Sequence, residues 1–292
     1  MTTLGVLVEQ VRHHLSGLDA RPETVGALSA PLTSTATSFV VDAASSLPQG
    51  DLLEVDMEQM RVKTASQTDN TVTLWPFGRG YRGTTAAAHA AGAEVRFSPS
   101  WPASTVAREI NGVLAEIYPT VYAVKEHVTT VPADGAIDVP ADATGVISVW
   151  VENRTVSTQW DREDRWDFNP DSTTTGRGLR IGGYHSTGDA LRIVYSAAPA
   201  PFNLDGALSQ DFATVTGLQD RLTDLLSLGV ARRLAPMLDL GRLSAVAASP
   251  TDRDPNTGGS QARLLHSLFL SRLDQEAAVL KREHPIRRHM VR

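Results

Sequence analysis

Apolar residues recur at helical spacing in four segments of the chain. Between Leu4 and Leu15 the leucines and valines are three or four positions apart, which places them on one face of an α-helix. A second segment follows Trp101-Pro102, where proline suits the first helical turn, and it ends before Tyr118-Pro119. The pattern predicts helices at residues 4–17, 103–117, 212–240 and 261–283.

Two other blocks contain short apolar runs bounded by turn-forming residues, a pattern that predicts β-strands. Asp69-Asn70 is the predicted hairpin turn of the first block. The strands predicted there are Ser38–Val41, Leu52–Val55, Gln59–Thr64, Thr71–Trp75 and Glu94–Phe97. Those predicted in the second block are His127–Val131, Ile137–Val139, Val146–Val151, Arg165–Phe168, Leu179–Ile181 and Ala190–Tyr195. Strands this short and closely spaced favour a sandwich or a small barrel.

Each predicted helix has an apolar stripe too broad to face water, so we expect the helices to pack together. The sequence therefore predicts an α+β fold, in which a discontinuous bundle of about four helices carries two inserted antiparallel β modules. The expected helical body comprises residues 1–20, 101–126 and 202–284. The first β insertion comprises residues 27–98, and the second, sandwich-like one comprises residues 127–200. Residues 285–292 form a basic C-terminal arm.

The composition is that of a soluble protein, with 41% hydrophobic and 21% charged residues among 292. The absence of cysteine excludes disulfides and thiolate metal sites. The first residues do not resemble a signal peptide, and no apolar run approaches the ~20 residues that span a bilayer. We expect a soluble protein that is made in the cytoplasm and does not contact a membrane.

Charge is distributed unevenly along the chain. Residues 281–292 carry five basic side chains and one acidic one, whereas the other 280 residues carry 22 basic and 32 acidic side chains. The net charge of −6 therefore combines a basic end with a body of net charge −10. Such a body lacks the clustered cations that bind phosphates, and it suits a surface past which DNA slides. Acidity that only maintains solubility would also explain it.

The residues Gly78–Gly83 have the G-x-G-x-x-G spacing of dinucleotide-binding loops. A dinucleotide fold would continue into a helix and place an acidic residue about 20 positions further on. Here Gly92 follows after barely two helical turns, and Glu94 comes too early. No cofactor is therefore expected.

A calcium-like spacing occurs at Asp252, Asp254 and Asn256. The sixth and twelfth positions of an EF-hand loop, which require glycine and glutamate, hold Thr257 and Arg263 instead. These residues are better interpreted as turn formers in the polar loop between the last two helices. No metal site is predicted.

One acidic cluster allows two interpretations, catalytic carboxylates or a pair of strands with exposed charges. The arginines and tryptophans among these acids favour the pair of strands. Histidines occur without metal-ligand spacing, and no G-x-S-x-G nucleophile motif is present. No catalytic residue is predicted, and the protein is not expected to be an enzyme. The acidic cluster consists of Asp161, Glu163, Asp164 and Asp167.

The most distinctive segment is Arg79–Val95, which reads R-G-Y-R-G-T-T-A-A-A-H-A-A-G-A-E-V. With the preceding hairpin, Glu58–Thr64 and Thr71–Leu74, it resembles the end of a small β module that recurs in structural proteins of tailed bacteriophages. We expect His89 to be a packing and hydrogen-bonding residue of this module. The signature residues are Arg79, Gly80, Gly83, Thr84, Thr85, His89 and Gly92.

Four shorter motifs extend the resemblance over most of the chain: Tyr118-Pro119, Leu191–Pro199, Asp220–Leu234 and Pro285–His289. Together they resemble the head-to-tail connector, or adaptor, proteins of long-tailed phages (siphophages) that infect actinobacteria. The resemblance implies a ring of twelve copies in the virion neck, between the portal protein and the stopper or other connector proteins on the tail side. Double-stranded DNA would pass through its lumen without sequence-specific binding.

These motifs leave two other functions open. A minor tail or tail-tip protein could share the β module, and a phage cell-wall hydrolase could carry a β-sandwich binding domain. The long C-terminal helices favour an adaptor over a tail-tip protein, because tail-tip proteins are chiefly β. The missing catalytic motif counts against a hydrolase.

The basic end of the chain follows Pro285, which stops a helix from continuing. One interpretation is a solvated, disordered terminus. The other, which the resemblance favours, is an arm that docks into an acidic groove of the portal protein. Its interface residues would be Ile286, Arg287, Arg288, Met290, Val291 and Arg292.

Overall fold

Helices and antiparallel strands alternate along the chain, so the predicted α+β class is confirmed. A computed structural model describes residues 1–16, 23–42, 50–153, 159–169, 178–182, 185–205, 207–246 and 257–286. The helices are α1 (Leu4–Ser16), α2 (Ala103–Ile117), α3 (Phe212–Thr216), α4 (Thr223–Val246) and α5 (Thr257–Glu283). None of the helices in the described residues is long and apolar enough to span a membrane.

The strands fall into two blocks. The first block contains β1 (Thr24–Ala27), β2 (Ser38–Val40), β3 (Leu52–Val55), β4 (Glu58–Ala65), β5 (Thr71–Leu74) and β6 (Glu94–Phe97). The second contains β7 (Ala123–Thr130), β8 (Ala136–Asp138), β9 (Ala143–Glu152), β10 (Trp160–Glu163), β11 (Trp166–Asn169), β12 (Gly178–Ile181) and β13 (Ala190–Ala197).

The described residues form two compact units. The first unit draws on residues 1–113, 201–215 and 220–270, and the second on residues 114–200, 216–219 and 271–286. Each β block therefore lies in a different unit.

A curled six-stranded antiparallel sheet forms the β part of the first unit, with the strand order β1-β6-β3-β4-β5-β2. Its edge strands are joined at one end, where the Ser29 N–H donates to the Val40 carbonyl and the Asp42 N–H to the Ala27 carbonyl. Apolar residues from alternate strand positions fill the inside of the curl. Asn70 has a φ of 54° in the turn between β4 and β5, which confirms the predicted hairpin turn.

The helices of the first unit pack around α4. The apolar face of α1 predicted from Leu4 to Leu15 is buried, and α1 packs against α4. At Gly229 of α4 the helices approach closely, since a β-carbon there would lie 2.7 Å from Val113 Cγ1 and 2.9 Å from Phe269 Cε2. Glycine at this position thus lets α2 and α5 contact α4.

The second unit contains two antiparallel sheets. One has the strand order β10-β9-β13-β7 and the other the order β11-β12-β8. Their facing apolar residues, such as Val149, Ile193 and Leu179, form one buried core. The end of α5 packs here too: the Tyr122 hydroxyl donates to the His284 carbonyl over 2.6 Å. Ile286 Cγ2 lies 2.8 Å from where a β-carbon on Gly145 would be.

The structure contradicts two of the predicted elements. Residues 212–240 do not form one helix, because α3 ends at Thr216 and Gly217 has a left-handed φ of 71°. The acidic cluster lies on two strands, but they do not pair with each other as expected, since β10 pairs with β9 and β11 with β12. The link Asp164-Arg165 between them lacks the glycine that favours a tight hairpin. Strand β1 was not predicted.

Candidate functional site

The signature segment begins in a tight turn after β5. Gly80, Gly83 and Gly92 all have positive φ angles, of 59°, 77° and 79°. A β-carbon on Gly80 would lie 2.7 Å from the Thr84 carbonyl oxygen, so this position requires glycine for space as well as for conformation. A 3-10 turn at Tyr81–Gly83 follows, and no helix forms between Gly83 and β6. The glycine spacing is therefore not that of a dinucleotide-binding loop.

Glu58, the first residue of β4, lies at the centre of this segment and is only 1% exposed. Its Oε1 accepts hydrogen bonds from Arg79 Nε at 2.7 Å and from the Gly80 N–H at 2.9 Å. Its Oε2 accepts from Arg79 Nη2 at 2.8 Å and from the Ala87 N–H at 3.0 Å. His89 Nε2 lies 2.9 Å from the same Oε2. One buried carboxylate thus binds both ends of the segment.

Arg79 extends the network to other parts of the first β block. Besides its two bonds to Glu58, its Nη1 donates to the Thr33 carbonyl at 2.5 Å and to the Ala36 carbonyl at 3.0 Å. Its Nη2 also donates to the Ala87 carbonyl at 2.6 Å. A planar guanidinium with five donors can satisfy this set, whereas a lysine ammonium offers only three.

His89 is buried and hydrogen-bonded, as the sequence indicates. Its Nδ1 lies 2.7 Å from Asp56 Oδ2, so both ring nitrogens face carboxylates. Its backbone pairs with Leu32, with N–H···O distances of 2.8 and 2.9 Å. Both ring nitrogens act as donors when the imidazole is protonated, which suits two carboxylate partners.

The protonation states follow from these contacts. Burial alone would raise the pKa of Glu58, but hydrogen bonds from Arg79, His89 and two backbone N–H groups outweigh it and lower the pKa to about 2. Burial alone would lower the pKa of His89, but its hydrogen bonds and charge interactions with Asp56 and Glu58 raise the pKa to about 9. At neutral pH the site is a network of fixed charges. It can hold a segment in place, and such a saturated carboxylate is a poor proton acceptor.

The remaining signature residues, Thr84 and Thr85, also hold the segment. Thr84 Oγ1 accepts from the Gln59 N–H at 3.0 Å and donates to the Tyr81 carbonyl at 2.9 Å. Thr85 Oγ1 donates to Asp205 Oδ1 at 2.5 Å. The whole signature therefore fixes the backbone of residues 79–92 on the first unit.

A second buried carboxylate, Glu54 on β3, was not singled out from the sequence. Its Oε1 accepts from Arg12 Nη2 and its Oε2 from the Ala103 N–H, both at 2.5 Å. Arg12 Nε also donates to the Trp101 carbonyl at 2.9 Å. Burial raises the pKa of Glu54, and its contacts with Arg12 and Ala103 offset part of that effect. Glu54 thus joins α1, β3 and the start of α2.

The acids of the predicted cluster do not converge on one site. Asp161 and Asp164 are exposed, and Glu163 Oε2 lies 2.9 Å from His185 Nε2. Asp167 lies on β11, in the other sheet. Asp252, Asp254 and Asn256 lie outside the described residues. Within those residues, no three histidine, aspartate or glutamate side chains are grouped to hold a metal ion.

Of the predicted interface residues of the arm, only Ile286 belongs to the described residues, and it lies beside Gly145 of β9. The other five predicted interface residues lie outside them: Arg287, Arg288, Met290, Val291 and Arg292.

The chain was also compared with known proteins. The sequence model of one family, described as SU10 adaptor protein, matches residues 84–279. The match includes most of the signature segment, the whole second β block and helices α2 to α4. No curated protein matches the chain.

Proposed function

The chain belongs to the SU10 adaptor protein family, because the match covers about two thirds of its 292 residues, and we propose that it forms the adaptor ring of a phage neck. It is a structural protein of the head–tail adaptor type. In the proposed ring it bridges the portal protein and the stopper or other connector proteins on the tail side. The family match is the observation that carries this proposal.

The helices of the first unit support the proposal of a ring. A closed ring requires contacts between two different surfaces of neighbouring copies. Leu264 and Leu268 of α5, one helical turn apart, are 58% and 47% exposed, and Met237 of α4 is 50% exposed. Large apolar side chains left in water on a helix face are typical of an interface. Twelve copies are expected from the resemblance to adaptors of long-tailed phages.

The charge of the body supports the proposal of a DNA conduit. A net charge of −10 outside residues 281–292 disfavours stable phosphate contacts. A lumen lined by such a body would let double-stranded DNA pass during packaging and ejection and would not retain it. The proposed location is the virion neck, after synthesis in the host cytoplasm.

A reconstruction of the intact phage particle by electron microscopy tests the ring. We expect twelve-fold density for this chain directly beneath the portal. Density with three-fold or six-fold symmetry at the tail tip would instead support a minor tail protein. In a deletion of the gene, filled heads without tails should accumulate, and a plasmid copy should restore joining.

We also propose that the C-terminal arm binds the portal protein. Ile286, beside Gly145, is the last of the described residues and immediately precedes the basic residues of the arm. Arg287, Arg288 and Arg292 would pair with carboxylates of an acidic groove, and Met290 or Val291 would fill small apolar pockets. Twelve such arms acting together would bind strongly even if each bound weakly.

Truncation after Ile286 tests the arm without disturbing Gly145. We expect rings that form normally and heads that remain unjoined. The matched control replaces Arg287 and Arg288 by lysine, which keeps the charge but removes bidentate pairing, and its joining should be intermediate. Normal joining by the truncated chain would mean that the arm is dispensable.

A further inference from the structure

A group of aromatic and basic side chains, some exposed and some half-buried, lies on β4 and in the turns that follow β5. Phe77 is 92% exposed, in a turn that follows β5. Cations on β4 and in the signature turn surround the aromatic residues. We call this group the aromatic tip, and it consists of Arg61, Lys63, Trp75, Phe77, Tyr81 and Arg82.

The turn that carries Phe77 is held rigidly. The Gly78 N–H donates to the Trp75 carbonyl at 2.8 Å, and the Arg61 N–H donates to the Gly78 carbonyl at 2.8 Å. A β-carbon on Gly78 would lie 2.6 Å from the Arg61 carbonyl oxygen, so the chain is pressed against β4 there. The backbone that carries Phe77 is therefore ordered before binding, which reduces the conformational freedom lost when the exposed ring is buried in an interface.

The cations of the aromatic tip are oriented by the aromatic rings. The Arg61 and Arg82 guanidinium carbons lie 5.5 and 6.0 Å from the centre of the Tyr81 ring. Lys63 Nζ lies 5.8 Å from the centre of the Trp75 ring. Within the described residues, none of these three cations forms an ion pair with a carboxylate of its own chain. A stacked guanidinium still presents its N–H edge for a bidentate acceptor.

The chemistry of the aromatic tip indicates what it contacts. Its three cations, which have no carboxylate partner among the described residues, and the exposed ring of Phe77 complement a surface on which carboxylates border an apolar pocket. All six residues precede residue 84, where the family match begins, so the tip lies outside the matched segment.

We propose that the aromatic tip docks onto another protein of the same particle, one that offers an apolar pocket for Phe77 bordered by carboxylates. This rests on the proposed function, which puts the chain in a virion. The carboxylates accept from Arg61, Lys63 and Arg82. Duplex DNA is the less suitable partner, because a rigid phenyl ring enters its stacked bases only by kinking the helix. A conduit must let DNA slide.

The chain's lack of cysteine makes the contact directly testable. Phe77→Cys creates a single attachment point on this chain for the photocrosslinker benzophenone-maleimide. The aromatic rings of the reagent replace the lost phenyl ring of Phe77. Particles are grown with this variant in place of the wild-type chain and irradiated. We expect an adduct that joins this chain to one other virion protein, through a peptide with carboxylates beside apolar residues. Val25→Cys on β1, at a site 48% exposed, is the matched control and should not give this adduct.

A second variant tests the role of charge. Adding Arg61→Glu and Lys63→Glu to Phe77→Cys should reduce the adduct about tenfold or more, because like charges then face each other. Unchanged thermal melting of the purified variants would show that each folds. Three results would each overturn the proposal. They are an adduct of twice the 31.4 kDa chain mass, an adduct to DNA, and the lack of any adduct in particles that contain the chain. Absence of the chain from particles would instead refute the proposed function.

Discussion

Glu58 and Arg79 are 21 residues apart in sequence and share two hydrogen bonds, of 2.7 and 2.8 Å. The carboxylate also accepts from two backbone N–H groups, those of Gly80 and Ala87. At the scale of single residues, this network explains why the signature needs an arginine, a glycine and a histidine. Each supplies a donor or a backbone conformation that its neighbours cannot replace.

Glu58→Gln should destabilise the protein by about 3–5 kcal/mol, because it leaves the buried Arg79 guanidinium without a counter-charge. Urea denaturation measures this loss. The control is Glu94→Gln, which removes an ion pair to Arg96 whose carboxylate is 56% exposed and should cost at most about 1 kcal/mol. Equal losses in the two variants would contradict the central role of Glu58.

The same network predicts how stability depends on pH. His89 has its pKa raised from 6.5 to about 9, so its stabilising contribution is complete below pH 6.5 and is lost as the pH rises through 9. Glu58 has its pKa lowered from 4.5 to about 2, so its contribution is complete above pH 4.5 and is lost as the pH falls through 2. The difference in unfolding free energy between wild type and His89→Gln should therefore shrink from pH 6 to pH 9.5. A constant difference would mean that His89 is not protonated.

At the scale of elements, glycine sets how closely the helices pack. Gly112 of α2 faces the end of the Arg233 side chain, whereas Gly229 of α4 faces Val113 and Phe269, which are packed in the core. A flexible charged tip can move aside, but a buried valine and phenylalanine cannot.

Overpacking in Gly229→Ala should lower the free energy of unfolding by about 1–3 kcal/mol. The higher helix propensity of alanine should offset roughly 1 kcal/mol of this loss. Gly112→Ala, the matched control on the partner helix, should change the free energy of unfolding by less than about 1 kcal/mol. Thermal melting of both variants tests this. A greater loss in Gly112→Ala would show that the Arg233 side chain is less mobile than its partial exposure indicates.

Strand and helix periodicity predicted most elements. The burial of one face of a helix or strand produces a regular spacing of apolar residues, which is visible within a short stretch of sequence. Strand β1 was missed since Thr24–Ala27 is short and contains a glycine. The break at Gly217 was missed because the apolar spacing continues across it. The partners of Glu58 were not predictable, since they lie 21 to 31 residues away and are brought together only by the fold. Glu54 did offer a signal, because it is the one charged residue in the strand Leu52–Val55.

At the scale of the whole molecule, the family match supports the resemblance to phage adaptor proteins, and the antiparallel α+β architecture confirms the predicted fold class. The match begins at Thr84, inside the signature segment, so the first five strands lie outside it. This chain therefore combines a matched adaptor segment with an N-terminal β module anchored to it through Glu54 and Glu58.

The absence of a metal requirement stays a prediction for the whole molecule. Chelation with EDTA should leave the melting temperature unchanged, and so should added calcium. Replacing Asp252, Asp254 and Asn256 together by alanine should leave particle assembly intact, because the loop lacks the glycine and glutamate of a calcium site. Calcium-dependent stability that is lost in the triple variant would reveal a metal site.

The carboxylate of Glu58 also determines how the signature segment exchanges amide hydrogens with solvent. The Gly80 and Ala87 N–H groups lie outside any strand, yet both donate to a buried acceptor. Exchange requires these bonds to open, so both amides should be protected as strongly as those of β4. The exposed Ala86 and Ala88 amides should exchange freely. In Glu58→Gln, protection should disappear from Gly80 and Ala87 together, since one side chain determines whether the whole segment opens.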